Sequence, residues 1–131
     1  MKLFLGALAV VALFAFGFYY VDNQPASKAQ VNTAEANVSM LNDGRKLFRA
    51  NCAGCHGEAG VGVEGAGPPF IHIVYEPNHH ADLAFYSAAL NGVRAHHWPY
   101  GDMPAQTQVS KQDVEKIVAY IRKLQRQKGI F

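Results

Sequence analysis

The sequence predicts an all-α domain of three main helices, preceded by one N-terminal transmembrane helix. Residues 3–21 carry no charge, apolar residues recur at helical spacing after residue 81, and no stretch is a confident strand. The formal net charge of +2 is spread along the chain without a dense Lys/Arg run. We therefore expect no nucleic-acid partner.

Residues 1–21 are predicted to form a transmembrane signal anchor. As a helix, residues 3–21 would be about 28 Å long, close to the ~30 Å hydrocarbon core of a bilayer. Lys2 and the terminal amine favour a cytoplasmic N-terminus, which places the rest of the chain on the periplasmic side of the inner membrane. The alternative is a cleaved signal peptide that releases a soluble periplasmic protein, with residues 27–29 as a weak cleavage match.

Residues 22–40 read as a flexible tether, because they are mostly small or polar and show no apolar periodicity. A coil of this length has an r.m.s. reach of about 25 Å. Residues 41–131 then form the folded domain, which is large enough for one compact unit with a small core.

The first helix of this domain is predicted over 43–51, capped by Asn42 or Asp43. Gly44 is unexpected there, since glycine in a helix costs up to ~1 kcal/mol relative to alanine. Close approach of another helix would justify it. Residues 54–69 are rich in glycine and proline and predict an irregular loop. The apolar run 70–75 is too short to classify by period, and we expect extended chain there.

The second helix is predicted over 81–91 and the third over 110–128. Asn91-Gly92 provides a stop for the second. Ser110 and Asp113 form a capping box at the start of the third, and Gly129 ends it. The predicted apolar stripes are Leu83, Tyr86, Leu90 and Val93 in the second helix and Val114, Ile117, Val118, Ile121 and Leu124 in the third.

The pentapeptide Cys52-Ala53-Gly54-Cys55-His56 has the spacing of a c-type haem attachment site. Each thiol can bond one haem vinyl group, and His56 can meet the iron. We expect one haem c, bound covalently through two thioethers. Other readings are a disulfide, a redox pair or a zinc site. A helix running into Cys52 argues against the redox pair. The chain lacks the second cysteine pair of a four-sulfur zinc site, but a mixed Cys/His site stays open.

Met103 is the candidate for the second axial ligand of the iron. Of three methionines, Met1 is the initiator and Met40 lies in the predicted tether. A thioether is a soft ligand that favours ferrous iron, and Pro104 restricts the loop that carries it. The other reading of Met103 is a core-filling side chain.

Taken in order, the haem motif, Gly67-Pro68, Met103-Pro104 and a closing helix with Tyr120 and Leu124 resemble the small monohaem class I cytochromes c. The resemblance covers about residues 41–124 and, with the N-terminal anchor, suggests the membrane-anchored bacterial type. It implies three helices wrapped around one covalently attached haem.

The resemblance also implies two contacts. Gly44 and Phe48 would meet Tyr120 where the first and last helices cross. The carbonyl of Pro68 would accept a hydrogen bond from His56 and so orient the ring.

By the same resemblance, the protein would be an electron carrier and not an enzyme. Its donor would be a quinol-oxidising complex, and its acceptor a terminal oxidase or another periplasmic enzyme. Two alternatives stay open. One is an open distal site that binds peroxide or gases, as an enzyme or a sensor. The other is a small haem subunit of a larger respiratory or copper-handling complex.

The domain has more histidines than an electron carrier requires. Those beyond His56 are His72, His79, His80, His96 and His97. The pairs 79–80 and 96–97 flank the second helix and could converge. They would then bind copper or zinc, or supply a replacement for Met103 on the iron. The other reading is hydrogen-bonded or solvent-facing side chains.

Overall fold

A computed structural model describes the backbone of residues 2–22 and 25–131 and the side chains of residues 11–21, 26 and 28–131. Within these residues no β-strand forms, which confirms the all-α prediction, and only two isolated bridges pair Val63 with Gly67 and Val93 with Met103. The described helices are α1 (Lys2–Asp22), α2 (Pro25–Asn51), α3 (Ala53–His56), a 3₁₀ turn (Ile73–Tyr75), α4 (Asp82–Asn91) and α5 (Lys111–Arg126).

The chain separates into two compact units, Met1–Val38 and Ser39–Phe131. In the first unit, α1 covers the predicted anchor, although residue 1 and the side chains of 2–10 lie outside the described residues. A search of the described residues found no helix with both the length and the apolar character needed to cross a membrane.

Helix α2 corrects two predictions. The expected coil over 22–40 is helical from Pro25 onward, with residues 23–24 outside the described residues, and no cap interrupts the helix at Asn42 or Asp43. The physical reason is composition: Pro25 suits a first helical turn, and four alanines together with Lys28, Gln30 and Glu35 follow, without glycine or proline up to Gly44. Helix propensity, summed over many residues, prevails there without an apolar stripe.

The end of α2 crosses α5 at Gly44, as the resemblance implied. A Cβ at Gly44 would overlap the Lys116 carbonyl and lie 3.1 Å from the Cβ of Tyr120. One turn later, the fully buried Phe48 ring lies 5.5 Å from the Tyr120 ring, centroid to centroid. Gly44 is therefore present because the two backbones touch.

We expect Gly44→Ala to lower the free energy of unfolding by about 2 kcal/mol, measured by urea denaturation of the purified protein. Alanine gains up to ~1 kcal/mol of helix propensity, but the overlap with the Lys116 carbonyl forces two helices apart at a larger cost. The control is Gly54→Ala in α3, where an added Cβ meets nothing within 4 Å. Equal stability of the two variants would contradict the crossing.

The predictions for α4 and α5 are confirmed to within two residues at each end. Gly92, at φ 76°, follows α4. Ser110 and Asp113 form the expected capping box. The Asp113 N–H donates to Ser110 Oγ at 3.1 Å, and the Ser110 N–H donates to the Asp113 carboxylate at 3.0 Å. The buried core combines α2, α4 and α5 and consists of Phe48, Ala53, Phe85, Val109, Val114, Ile117, Val118, Tyr120 and Ile121.

One face of α4 differs from the prediction. Leu83 is 78% exposed, whereas Phe85 is buried. The reason lies in α5: the guanidinium of Arg122 sits 4.8 Å from the centre of the Phe85 ring and pairs with Asp82. Phe85 also packs against the rings of Phe70 and Tyr75, with centroids 5.6 and 5.9 Å away, so contacts on several sides hold it in the core.

The segment between α3 and α4 is irregular, as predicted, but differs at both ends. Residues 54–56 belong to α3, and residues 73–75 form a 3₁₀ turn instead of extended chain. The turn begins where the ring Nδ1 of His72 accepts a hydrogen bond from the Val74 N–H at 3.2 Å. The His72 side chain thus caps the first free N–H of the turn, as an N-cap side chain does in a helix. This hydrogen bond favours the turn over extended chain.

Candidate functional site

Cys52, Cys55 and His56 lie on one turn of helix. The carbonyl of Cys52 accepts hydrogen bonds from the N–H groups of Cys55 at 3.2 Å and His56 at 2.9 Å. Cys52 itself donates to the carbonyl of Phe48 at 2.8 Å, which joins this turn to the buried end of α2. Positions three and four apart share a helix face, so we expect both thiols and the imidazole on one side of this turn.

Pro68 fixes the ring of His56. The Nδ1 of His56 donates to the Pro68 carbonyl oxygen at 2.8 Å, the contact that the resemblance implied. Because a carbonyl only accepts, Nδ1 carries the proton and Nε2 keeps its lone pair. Burial lowers the pKa of His56, against the opposing effect of the Pro68 hydrogen bond, and so favours this neutral form.

Gly67 allows Pro68 to reach that position. A Cβ at Gly67 would lie 2.7 Å from the carbonyl oxygen of Cys55 and 3.1 Å from its Cβ. Only a residue without a side chain lets the loop pass this close to α3. Gly67 therefore lets the loop lie against α3, and Pro68 then places its carbonyl oxygen where it accepts the hydrogen bond from His56.

The surroundings of the two cysteines do not favour a redox pair. They are not bonded to one another. Burial, with a smaller effect of the neighbouring Cys55, raises the pKa of Cys52 to about 11. Redox CxxC motifs have a nucleophilic cysteine with a lowered pKa, so the environment of Cys52 disfavours thiolate chemistry.

Met103 lies half-buried in the loop between α4 and α5. Its backbone exchanges two hydrogen bonds with Val93, both at 2.9 Å. Next to it, the carboxylate of Asp102 accepts from the N–H of Ala95 at 2.8 Å. Tyr100 Oη donates to Glu64 at 3.0 Å and so joins this loop to the one that follows α3. The Met103 segment is thus held in place on both sides.

Four of the five additional histidines converge. One ring nitrogen from each of His79, His80 and His97 lies within 4.8 Å of the others. The ring of His96 is 4.4 Å from that of His97, centroid to centroid. Desolvation, followed by the neighbouring imidazoles, lowers the pKa of His97. His72 stands apart as the residue that begins the 3₁₀ turn.

Sequence analysis missed Arg122, a buried cation in α5 that joins three segments. Its Nε donates to Asp82 at 2.7 Å, and Nη1 donates to the Tyr75 carbonyl at 2.6 Å and to Gln125 Oε1 at 2.8 Å. Its Nη2 donates to the His80 carbonyl at 2.6 Å. Arg122 therefore holds the histidine-bearing loop against α5.

Gln125 is the second residue that was missed. It is 1% exposed, and its Nε2 donates to the carbonyl of Phe70 at 2.8 Å. A signal existed, since position 125 continues the series 114, 118 and 121, with steps of four and three. Its polar side chain kept it out of the predicted stripe.

The residues of α3 and its surroundings fit a covalent haem c. Two thiols on one helical face can form the thioethers. On the same face, an imidazole offers Nε2 to a metal while its Nδ1 is held by a backbone carbonyl, the arrangement found for metal-ligating histidines. Met103 offers a thioether from the loop between α4 and α5.

Comparison with known proteins agrees with a haem c domain. The family model described as Cytochrome c matches residues 41–125, well over half of the chain. Searches of curated proteins and of solved structures found no match.

Proposed function

Because the chain belongs to the cytochrome c family, we propose that it is a one-electron carrier of the class I monohaem type. A single haem c is bound through Cys52 and Cys55, with His56 and Met103 as axial ligands. The family implies haem c as the cofactor and electron transfer as the general role, and members are usually not enzymes.

The hydrogen bond from His56 to Pro68 carries this proposal. It fixes the tautomer that presents Nε2 to the iron, and it raises the basicity of the ring as a ligand. Since Cys52 is the N-cap residue of α3 and Cys55 and His56 lie within it, one short segment would supply attachment and ligation together.

Met103 is the proposed ligand on the opposite side of the iron. Support comes from its half-buried position and from the two backbone hydrogen bonds to Val93 that fix its loop. A thioether ligand raises the reduction potential of haem relative to a second histidine.

Haem bound here would supply the Fe(III)/Fe(II) couple. His56 and Met103 would occupy both axial positions and exclude other ligands. Because the neighbouring loops are held by hydrogen bonds, these residues need to move little when one electron is gained or lost. Such a site transfers electrons and leaves no position for a substrate.

We also propose that α1 anchors the protein at the inner membrane, with the haem domain on the periplasmic side. Between Val11 and Val21, eight large apolar side chains are 60–83% exposed, an apolar surface that calls for a nonaqueous neighbour. The redox partners would be a quinol-oxidising complex as donor and a terminal oxidase or periplasmic enzyme as acceptor.

The test is an optical and electrochemical study of the Met103→Ala variant. We expect wild-type protein to be low-spin in both oxidation states and not to bind CO readily. In the variant, we expect a high-spin ferric spectrum, ready CO binding and a change in midpoint potential on the order of 0.1 V.

Met40→Ala is the matched control, because Met40 lies in α2 outside the proposed site. It should leave the spectra and the potential as they are. An unchanged low-spin spectrum and potential in Met103→Ala would refute methionine ligation. Ready CO binding by the wild type would favour an open distal site instead.

A further inference from the structure

A histidine-rich surface is assembled from two loops on either side of α4. The N–H groups of His79 and His80 both donate to the carbonyl of Glu76, at 2.9 and 2.8 Å, so a tight turn presents the two side chains. The loop after α4 brings His97 to them, with ring centroids 5.5 Å from His79 and 5.3 Å from His80. His79 and His80, which are adjacent in the sequence, thus share one surface with His97 from the other side of α4.

Hydrogen bonds set the tautomers in this cluster. The Nδ1 of His80 donates to the Val74 carbonyl at 2.7 Å, which leaves the Nε2 lone pair free. This is the outer hydrogen bond that metal-ligating histidines usually make. In contrast, Nδ1 of His72 accepts from the Val74 N–H, so a neutral His72 ring carries its proton on Nε2. His80 is therefore prepared as a ligand and His72 is not.

The turn that carries His80 is built into the domain. Arg122, itself buried, donates to the His80 carbonyl at 2.6 Å and to the Tyr75 carbonyl at 2.6 Å. The ring of Tyr75 lies 5.1 Å from that of His80 and 5.3 Å from that of Phe70, which stacks on His56. The histidine surface therefore rests on the same packed body as the proposed haem ligand.

We propose that His79, His80 and His97 bind one divalent transition-metal ion, and that Cu(II) binds most tightly. In the square arrangement that Cu(II) prefers, with metal–nitrogen bonds of about 2.0 Å, ligand nitrogens are roughly 2.8 Å apart at adjacent corners and roughly 4.0 Å apart at opposite corners. The present separations of up to 4.8 Å close by rotation of His79 and His97, both of which are exposed. The fourth position faces solvent and takes water.

The choice of metal follows from the donor set. Imidazole nitrogens suit copper, zinc and nickel, whereas calcium and magnesium require oxygen ligands. A site with two exposed, rotatable ligands imposes little geometry, so affinities follow the intrinsic order of the divalent ions, in which Cu(II) ranks highest.

The test is titration of the purified, pigment-bearing full-length protein with Cu(II) and, separately, Zn(II), followed by calorimetry and by electron paramagnetic resonance for copper. We expect one Cu(II) per chain with nitrogen ligation, and weaker binding of Zn(II). His79→Ala combined with His97→Ala should weaken Cu(II) binding by more than about 100-fold. This is more than the loss expected when only a residue that hydrogen-bonds to a metal ligand is removed.

His72→Asn is the matched control. It removes a neighbouring imidazole while keeping an acceptor for the Val74 N–H, and it should bind Cu(II) like the wild type. If the double variant also binds like the wild type, or if Zn(II) binds more tightly than Cu(II), the proposal is wrong. Haem content is measured on the same sample, so protein with haem but no copper binding refutes only the metal site. Purified wild-type protein that carries no covalent haem would instead refute the proposed carrier, whether or not it binds Cu(II).

Discussion

Replacing both Cys52 and Cys55 with alanine is expected to abolish the covalent pigment completely. Each thiol would form one thioether to haem, and the chain has no other cysteine. Extraction with acidified acetone should therefore leave wild-type haem on the chain and remove all of it from the double variant. The measurement is haem absorbance of the extracted polypeptide after export to the periplasm.

The domain should also lose stability in the double variant, because a small core that forms around a bound cofactor depends on it. Cys55→Ala alone is the informative comparison: one thioether remains, so pigment should still resist extraction. Gly54→Ala, inside the same pentapeptide, controls for changes in the helical turn, because an added Cβ there meets nothing within 4 Å. Extractable pigment in the wild type would refute covalent haem.

Replacing Arg122 with methionine is expected to lower the free energy of unfolding by about 3 kcal/mol. Methionine preserves much of the side-chain volume but removes every donor. The Tyr75 and His80 carbonyls then lose a charged partner, and Asp82 loses its ion pair. The measurement is urea denaturation followed by circular dichroism, with the free energy extrapolated to water.

Arg126→Met is the matched control, because Arg126 is an exposed residue one turn later on α5. Its effect should stay within about 0.5 kcal/mol. Arg122→Lys should fall between the two, since an ammonium keeps the charge but does not reproduce the planar fork of donors. Equal stabilities of Arg122→Met and Arg126→Met would show that the buried network does not hold the loop.

Local chemistry was enough to predict part of this protein. The haem motif is five consecutive residues, and the capping box at Ser110 and the stop at Gly92 act over three or four residues. Even the helix crossing could be anticipated, because Gly44 is unfavourable inside a helix and suggests that another helix approaches closely there. The haem motif, the capping box and the helix stop each depend only on residues that are neighbours in the chain.

Other features came from contacts between distant positions. The turn at 79–80 and the loop at 96–97 meet in the folded domain, where Arg122, more than forty residues after His80, holds that turn against α5. The same guanidinium decides that Phe85 faces inward and Leu83 outward. Periodicity predicts neither the meeting of the loops nor the face of α4 that is buried. A helix with apolar residues on two sides can bury either side.

Local sequence thus predicted the all-α class of the domain, a haem-attachment motif and the ends of α4 and α5, because helix caps, breakers and attachment residues act within a single turn. Packing established the burial of Arg122 and Gln125, the rotation of α4 and the gathering of the histidines. These depend on which carbonyls the folded loops leave without partners, and a buried carbonyl must find a donor wherever the chain can supply one.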